Sequence, residues 1–125
     1  TALPLYSLVH IREAFEYIAQ NPTLPQNLHA KISLFKNLLS DFKHDTFFLK
    51  ESSSPIQILR VGGNERTKVF AQELQALGFD IRPVLSPTVK SGEEILRICL
   101  HVFNNEDDIE FLTENIRLIA SKLIL

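Results

Sequence analysis

Apolar residues recur at helical spacing over the first third of the chain and at shorter, alternating spacing farther on, so two kinds of element share it. Leu8, Ile11, Phe15 and Ile18 lie on one helical face, and Pro4 suits a first helical turn, which predicts a helix over residues 4–20. Asn21-Pro22 stops it. Pro25 is expected to open a second helix with Leu28, Ile32, Phe35, Leu39 and Phe42 along its face. Ser52-Ser53-Ser54-Pro55 has the small polar and rigid residues of a surface connection, and the pattern changes after it. Strands are predicted over 56–61, 79–84 and 95–103, where β-branched and apolar residues concentrate. Between the first two, Asn64 can cap a helix carrying Val69, Phe70, Leu74 and Leu77, and Gly78 supplies a left-handed stop. Asn105 can cap a last helix with Glu106, Asp107 and Asp108 at its positive end and Ile109, Leu112, Ile116 and Ile119 on one face. The expected fold is α/β (α+β): two N-terminal helices, then β-α-β-β-α, a small, largely antiparallel sheet with helices on one face.

Composition narrows the partners more than the fold. At 125 residues and 45% hydrophobic content the chain can build one packed core. A net charge of −2, with Lys and Arg scattered among acids, leaves no basic stripe for nucleic acid. No apolar run reaches the ~18 residues of a membrane span, and the opening residues lack the order of a signal peptide. Cys99 is the one cysteine, which excludes an internal disulfide and fits a reducing cytoplasm. The chain opens Thr1-Ala2-Leu3-Pro4 and holds no methionine, as expected of a piece of something longer.

Candidate chemistry concentrates in the third strand. Alternation puts Leu96, Ile98, Leu100 and Val102 on one face, all core-like, and Ile95, Arg97, Cys99, His101 and Phe103 on the other. A guanidinium in mid-strand points to a cleft or partner, since its planar fork matches a carboxylate. An ordinary ion pair with a nearby Glu or Asp is the competing reading. Gly62-Gly63-Asn64 follows a strand and opens a helix, where backbone N–H groups can cradle a phosphate, yet it lacks the rest of any nucleotide fingerprint and reads better as a tight turn. The segment from Ser86 to Gly92 joins two strands and offers Thr88 and Lys90, although an ordinary connection would hold the same residues. His10, His29, His44 and His101 never fall at metal-ligand spacing, so no metal is expected, and Cys99 has no activating partner.

Several stretches carry a more specific signal: Ile56-Gln57 before Val61-Gly62-Gly63-Asn64, Leu77-Gly78-Phe79, Pro87-Thr88-Val89, Ser91-Gly92, Leu96-Arg97-Ile98-Cys99-Leu100 and Asp107-Asp108-Ile109. In order and spacing they resemble the small domain of the α-oxoamine synthases, and Thr1-Ala2-Leu3-Pro4 is similar to the stretch that follows the large cofactor domain in that family. The resemblance implies a helical connector from a missing large domain over residues 1–50 and a small C-terminal α/β domain over 51–125. It implies an enzyme using pyridoxal 5′-phosphate to condense an amino acid with an acyl-CoA, losing CO2, with alanine and pimeloyl-CoA as the first expectation and a homodimer as the parent assembly. Arg97 would bind the amino-acid carboxylate, Pro87, Thr88 and Val89 would line the entrance, and Thr1 would reach the cofactor phosphate of a neighbouring subunit. No lysine stands in the family's cofactor-attachment context, so this piece alone is expected to hold no catalytic residue and to be inactive. Lys90 replaces a usual proline, Ile95 the first arginine of an Arg-Leu-Arg series, and Asn104 a frequent histidine. Two other readings fit the element order: a ferredoxin-like, non-enzymatic module that binds amino acids, and the small domain of another fold type I aminotransferase.

Overall fold

In a computed structural model, which describes residues 2–124, the chain forms α1 (Leu5–Gln20), α2 (Thr23–Leu38), β1 (Phe48–Leu49), β2 (Ile56–Arg60), α3 (Asn64–Ala76), β3 (Arg82–Val84), β4 (Ile95–Cys99) and α4 (Glu106–Ile124). The strands lie in the order β1-β2-β4-β3, and every neighbouring pair is antiparallel. Parallel strands β2 and β3 are therefore joined by α3 across the space that β4 fills, and α3 and α4 pack on the same side of the sheet. Leu59, Leu96 and Ile98 from the sheet meet Phe70 and Leu74 of α3 and Ile109, Leu112 and Ile116 of α4 in one core. α2 closes it by burying Ile32 and Phe35, with Leu39 just beyond, against α4.

Local chemistry accounts for the ends of the elements. α2 begins at Thr23 rather than at Pro25, because the first N–H groups of a helix need no partner and proline sits at its third position without loss. Asn105 caps α4 as expected, in a reciprocal arrangement: its Oδ1 accepts the Asp108 N–H at 2.7 Å, and its own N–H donates to Asp108 Oδ2 at 3.2 Å. Gly78 takes φ of 98° after α3, and Phe79 N–H returns to Leu74 O, the left-handed stop read from the sequence.

Three expectations are corrected. Asn64 is the first residue of α3, and Gly63 occupies the cap position, so the asparagine side chain is free to bond elsewhere. The last strand ends at Cys99 because Asn104 Oδ1 takes the His101 N–H at 2.7 Å and turns the chain, which leaves Val102 exposed instead of in the core. β3 is limited to Arg82–Val84; it is an edge strand, where Pro83 gives up no needed hydrogen bond. β1 was not anticipated at all. α1 forms at the expected place, but none of its residues is buried, so its apolar face meets nothing among the described residues.

Candidate functional site

β4 sorts its side chains as alternation requires: Leu96 and Ile98 enter the core, while Arg97 and Cys99 stand exposed on the opposite, helix-free face. Arg97 lies between two cross-strand neighbours, Ile58 on β2 and Arg82 on β3. Like charges directly opposite repel, and Arg82 turns to Asp80, its Nε donating to Oδ1 at 2.8 Å. A third guanidinium on this face, Arg60, donates to Gly92 O at 2.7 Å and lies over the Phe48 ring at 5.3 Å. Arg97 has neither an ion pair nor a side-chain hydrogen bond among the described residues. Its surroundings are the half-buried Ile58 and Ile95 and a groove of about 540 Å³ lined by Phe79, Arg82, Cys99, His101, Phe103 and Asp108. His101 and Phe103 stack at 4.7 Å along the rim. Chemically this is a cationic fork over the half-buried Ile58 and Ile95, beside a groove that also holds Asp80 and Asp108, and its planar geometry matches a carboxylate.

Pro87 and Thr88 are exposed and Val89 is half-buried in the loop from Ser86 to Gly92. The loop sits at the Ile95 end of β4 and is not among the residues lining the groove, so the two candidate features are neighbours on the sheet, not parts of one pocket. Its base is held by Asn64, expected from the sequence to cap a helix, and by Glu94, which sequence reading left aside. Asn64 Oδ1 accepts the Ser86 N–H at 3.0 Å and its Nδ2 donates to Ser86 O at 3.4 Å. Glu94, 1% exposed, accepts the Gly63 N–H at 2.6 Å and the Gly92 N–H at 2.9 Å on Oε2. Burial pushes the Glu94 carboxyl up, but its own N–H, those of Gly63 and Gly92 and the charge of Arg60 together outweigh this and hold it below the usual glutamate value. A signal for Glu94 was present: it shares the register of Leu96 and Ile98, and a charged residue in a core-facing register announces a buried acid.

The Gly62-Gly63-Asn64 cradle is filled from within the chain by that carboxylate, consistent with a turn instead of a phosphate site. Thr1 lies outside the described residues. No group of three His, Cys, Asp or Glu side chains able to hold a metal occurs among the described residues. Lys36, Lys68 and Lys122 pair with Glu51, Glu65 and Glu73, and among the described residues no lysine lines the groove beside Arg97.

No family model matches the chain. In fold, at a TM-score of 0.67 and 16% identity, 78% of the chain superposes on 24% of a serine palmitoyltransferase from S. paucimobilis with a bound PLP–myriocin aldimine. A crystal structure of 8-amino-7-oxononanoate synthase from Francisella tularensis matches at a TM-score of 0.66 and 21% identity, over 80% of this chain and 28% of that one. In sequence the chain is 33% identical over 122 residues to the 8-amino-7-oxononanoate synthase of Emericella nidulans, covering 93% of this chain and 29% of that protein. The chain is thus a homologue of part of the 8-amino-7-oxononanoate synthases and spans less than a third of the length of such relatives.

Proposed function

We propose that this chain is the C-terminal small domain of a pyridoxal-phosphate-dependent acyltransferase that condenses an amino acid, L-alanine, with an acyl-CoA, pimeloyl-CoA, releasing CO2, as in biotin biosynthesis. Its own part is recognition of the amino-acid carboxylate by Arg97. The observation that carries this is the guanidinium left without an acid partner beside a same-sign neighbour, on the sheet face away from the helices. A carboxylate arriving there receives two parallel charge-assisted hydrogen bonds and relieves the repulsion between Arg97 and Arg82. Pro87, Thr88 and Val89 border the approach.

The cofactor and its attachment lysine belong to the larger part of the parent, and the cofactor supplies the electron sink when bound there. The helical connector over residues 1–50 meets that part through α1, whose Leu8, Ile11, Phe15 and Ile18 find no cover in this chain. The parent works as a homodimer in the cytoplasm; no helix of the described residues is long and apolar enough to cross a membrane. The fragment alone is inactive.

Arg97→Ala in the full-length enzyme tests the reading. The amino-acid KM should rise about tenfold to a hundredfold, as for loss of a charge-assisted pair, with the acyl-CoA KM within about twofold of the parent. Arg97→Lys should recover only part, because an ammonium cannot present a fork. Unchanged use of the amino acid by the alanine variant would overturn the assignment.

A further inference from the structure

We propose that Glu94 and Asn64 are a pair of positioning residues that pin both ends of the Ser86–Gly92 loop to the β2–α3 turn and thereby hold its Pro87-Thr88-Val89 tip beside the approach to Arg97. This rests on the reading of Arg97 as the carboxylate site.

The turn from β2 into α3 presents backbone donors in a row, the geometry that elsewhere takes an external anion. Here the anion is the Glu94 side chain. The Gly63 N–H donates to its Oε2, and the Gly92 N–H donates to the same carboxylate, while the Val61 and Gly62 N–H groups donate to the Glu94 backbone carbonyl at 2.9 and 3.0 Å. Arg60 adds a bond to Gly92 O. One buried carboxylate thus joins residues 31 positions apart in the chain, Gly63 and Glu94, and fixes the loop at its exit. Asn64, next along the turn, fixes the entrance, pairing with Ser86 through both its acceptor and its donor as a strand backbone would.

Between those anchors the loop has little of its own. Val89 N–H reaches Leu85 O at 3.3 Å and Glu93 N–H reaches Lys90 O at 2.9 Å, while Pro87, Thr88, Lys90 and Ser91 are exposed. Arg97 is two residues along β4 from Ile95, which pairs with Val84 at the loop's base; two strand residues span about 7 Å. Loss of either anchor therefore frees a segment within reach of the substrate's approach. A buried, charged acid is a costly way to close a loop that needed only closing, since an apolar contact would do so without desolvating a charge. What a carboxylate adds is a fixed geometry for two separate N–H donors.

The test uses Glu94→Gln and Asn64→Ala in the full-length enzyme that carries this chain, read by amide hydrogen exchange and by steady-state kinetics. Exchange across residues 86–93 should quicken about fivefold or more in each variant, the loss expected for one net hydrogen bond, while α4 stays protected. The amino-acid KM should rise about fivefold with kcat changed less than about twofold, a split that a general loss of fold would not produce. In Glu94→Gln, the KM should also lose any acid-side dependence that the parent shows. If Glu94→Gln does not fold, Asn64→Ala, which leaves the buried carboxylate untouched, carries the test alone. Unchanged exchange across 86–93 would overturn the double anchor. Quickened exchange with an unchanged KM would overturn the loop's link to substrate. Should Arg97→Ala leave the KM unmoved while exchange in the anchor variants still quickens, the carboxylate reading fails and the anchor survives only as structure.

Discussion

Gly62 carries two constraints that can be separated. Its φ is +78°, which L side chains rarely adopt, and a Cβ placed there would stand 3.0 Å from Gly92 O, the carbonyl that also accepts from Arg60. Gly78 has φ of +98° but nothing within 4 Å of such a Cβ. Gly78→Ala should therefore cost about 1 kcal/mol of backbone strain, and Gly62→Ala about 2 kcal/mol or more, because a carbonyl bound to an arginine cannot yield freely. Urea midpoints at constant m report the difference, and equal losses would mean that the turn and the loop are not in contact. Glu94 gives this same contact a pH dependence. Its carboxyl lies below the ordinary value in the folded chain, so it contributes stability that is present above the ordinary glutamate range and lost as pH falls through the folded value. On acidification the parent should lose more stability than Glu94→Gln; parallel loss in chemical denaturation at several pH values would remove the carboxylate from this account.

Among the elements, α1 differs from the other three helices in what its apolar face meets. Phe15 is 71% exposed and Ile18 48%, whereas Ile32 and Phe35, at equivalent spacing on α2, are buried. Replacing Ile11 and Phe15 by Glu should leave the unfolding of the chain within about 0.5 kcal/mol, since no packing is lost, and should reduce self-association seen by sedimentation. Asn105→Ala, by contrast, removes a cap in use and should cost about 1 kcal/mol in the same unfolding measurement. α2, α3, α4 and the two longer strands were legible because a 3.6-residue or two-residue period survives in the sequence wherever one face is buried, and α1 keeps such a period although its face is uncovered in this chain. β1 was not, since two residues hold no period and Phe48-Leu49 pair with Arg60 and Leu59 through tertiary approach alone. The outward register of Arg97 could be read from its neighbours, while its lack of a partner depended on Arg82 turning to Asp80, which no local pattern shows. Asn64 looked like a cap because caps and loop anchors use the same side-chain chemistry; the partner, Ser86, lies 22 residues away.

For the molecule taken whole, the unusual property is a sheet finished on one side. An antiparallel sheet with one face in water ordinarily alternates apolar-in with polar-out. Here the helix-free face presents Ile56, Ile58, Ile95 and Val84 around Arg97, with Arg60 held to the Gly92 carbonyl and Arg82 to Asp80 at its edges. That composition suits a face covered by protein with a gap left for a small anion, and relatives of which this chain covers 29% have ample further sequence to cover it. Cys99 reports on the cover. It is a free, exposed thiol two residues from Arg97 on the same face, opposite Ile56. In the chain by itself it should react readily with a small thiol reagent. In the full-length protein, if the larger part packs on this face, the rate should fall about tenfold or more, because access governs thiol modification once the chemistry is fixed. A free amino acid added with the cofactor present should slow it further by filling the gap. Equal rates in the chain and in the full-length protein would leave the face open to solvent, and a substrate carboxylate on Arg97 would then have no second wall to be held against.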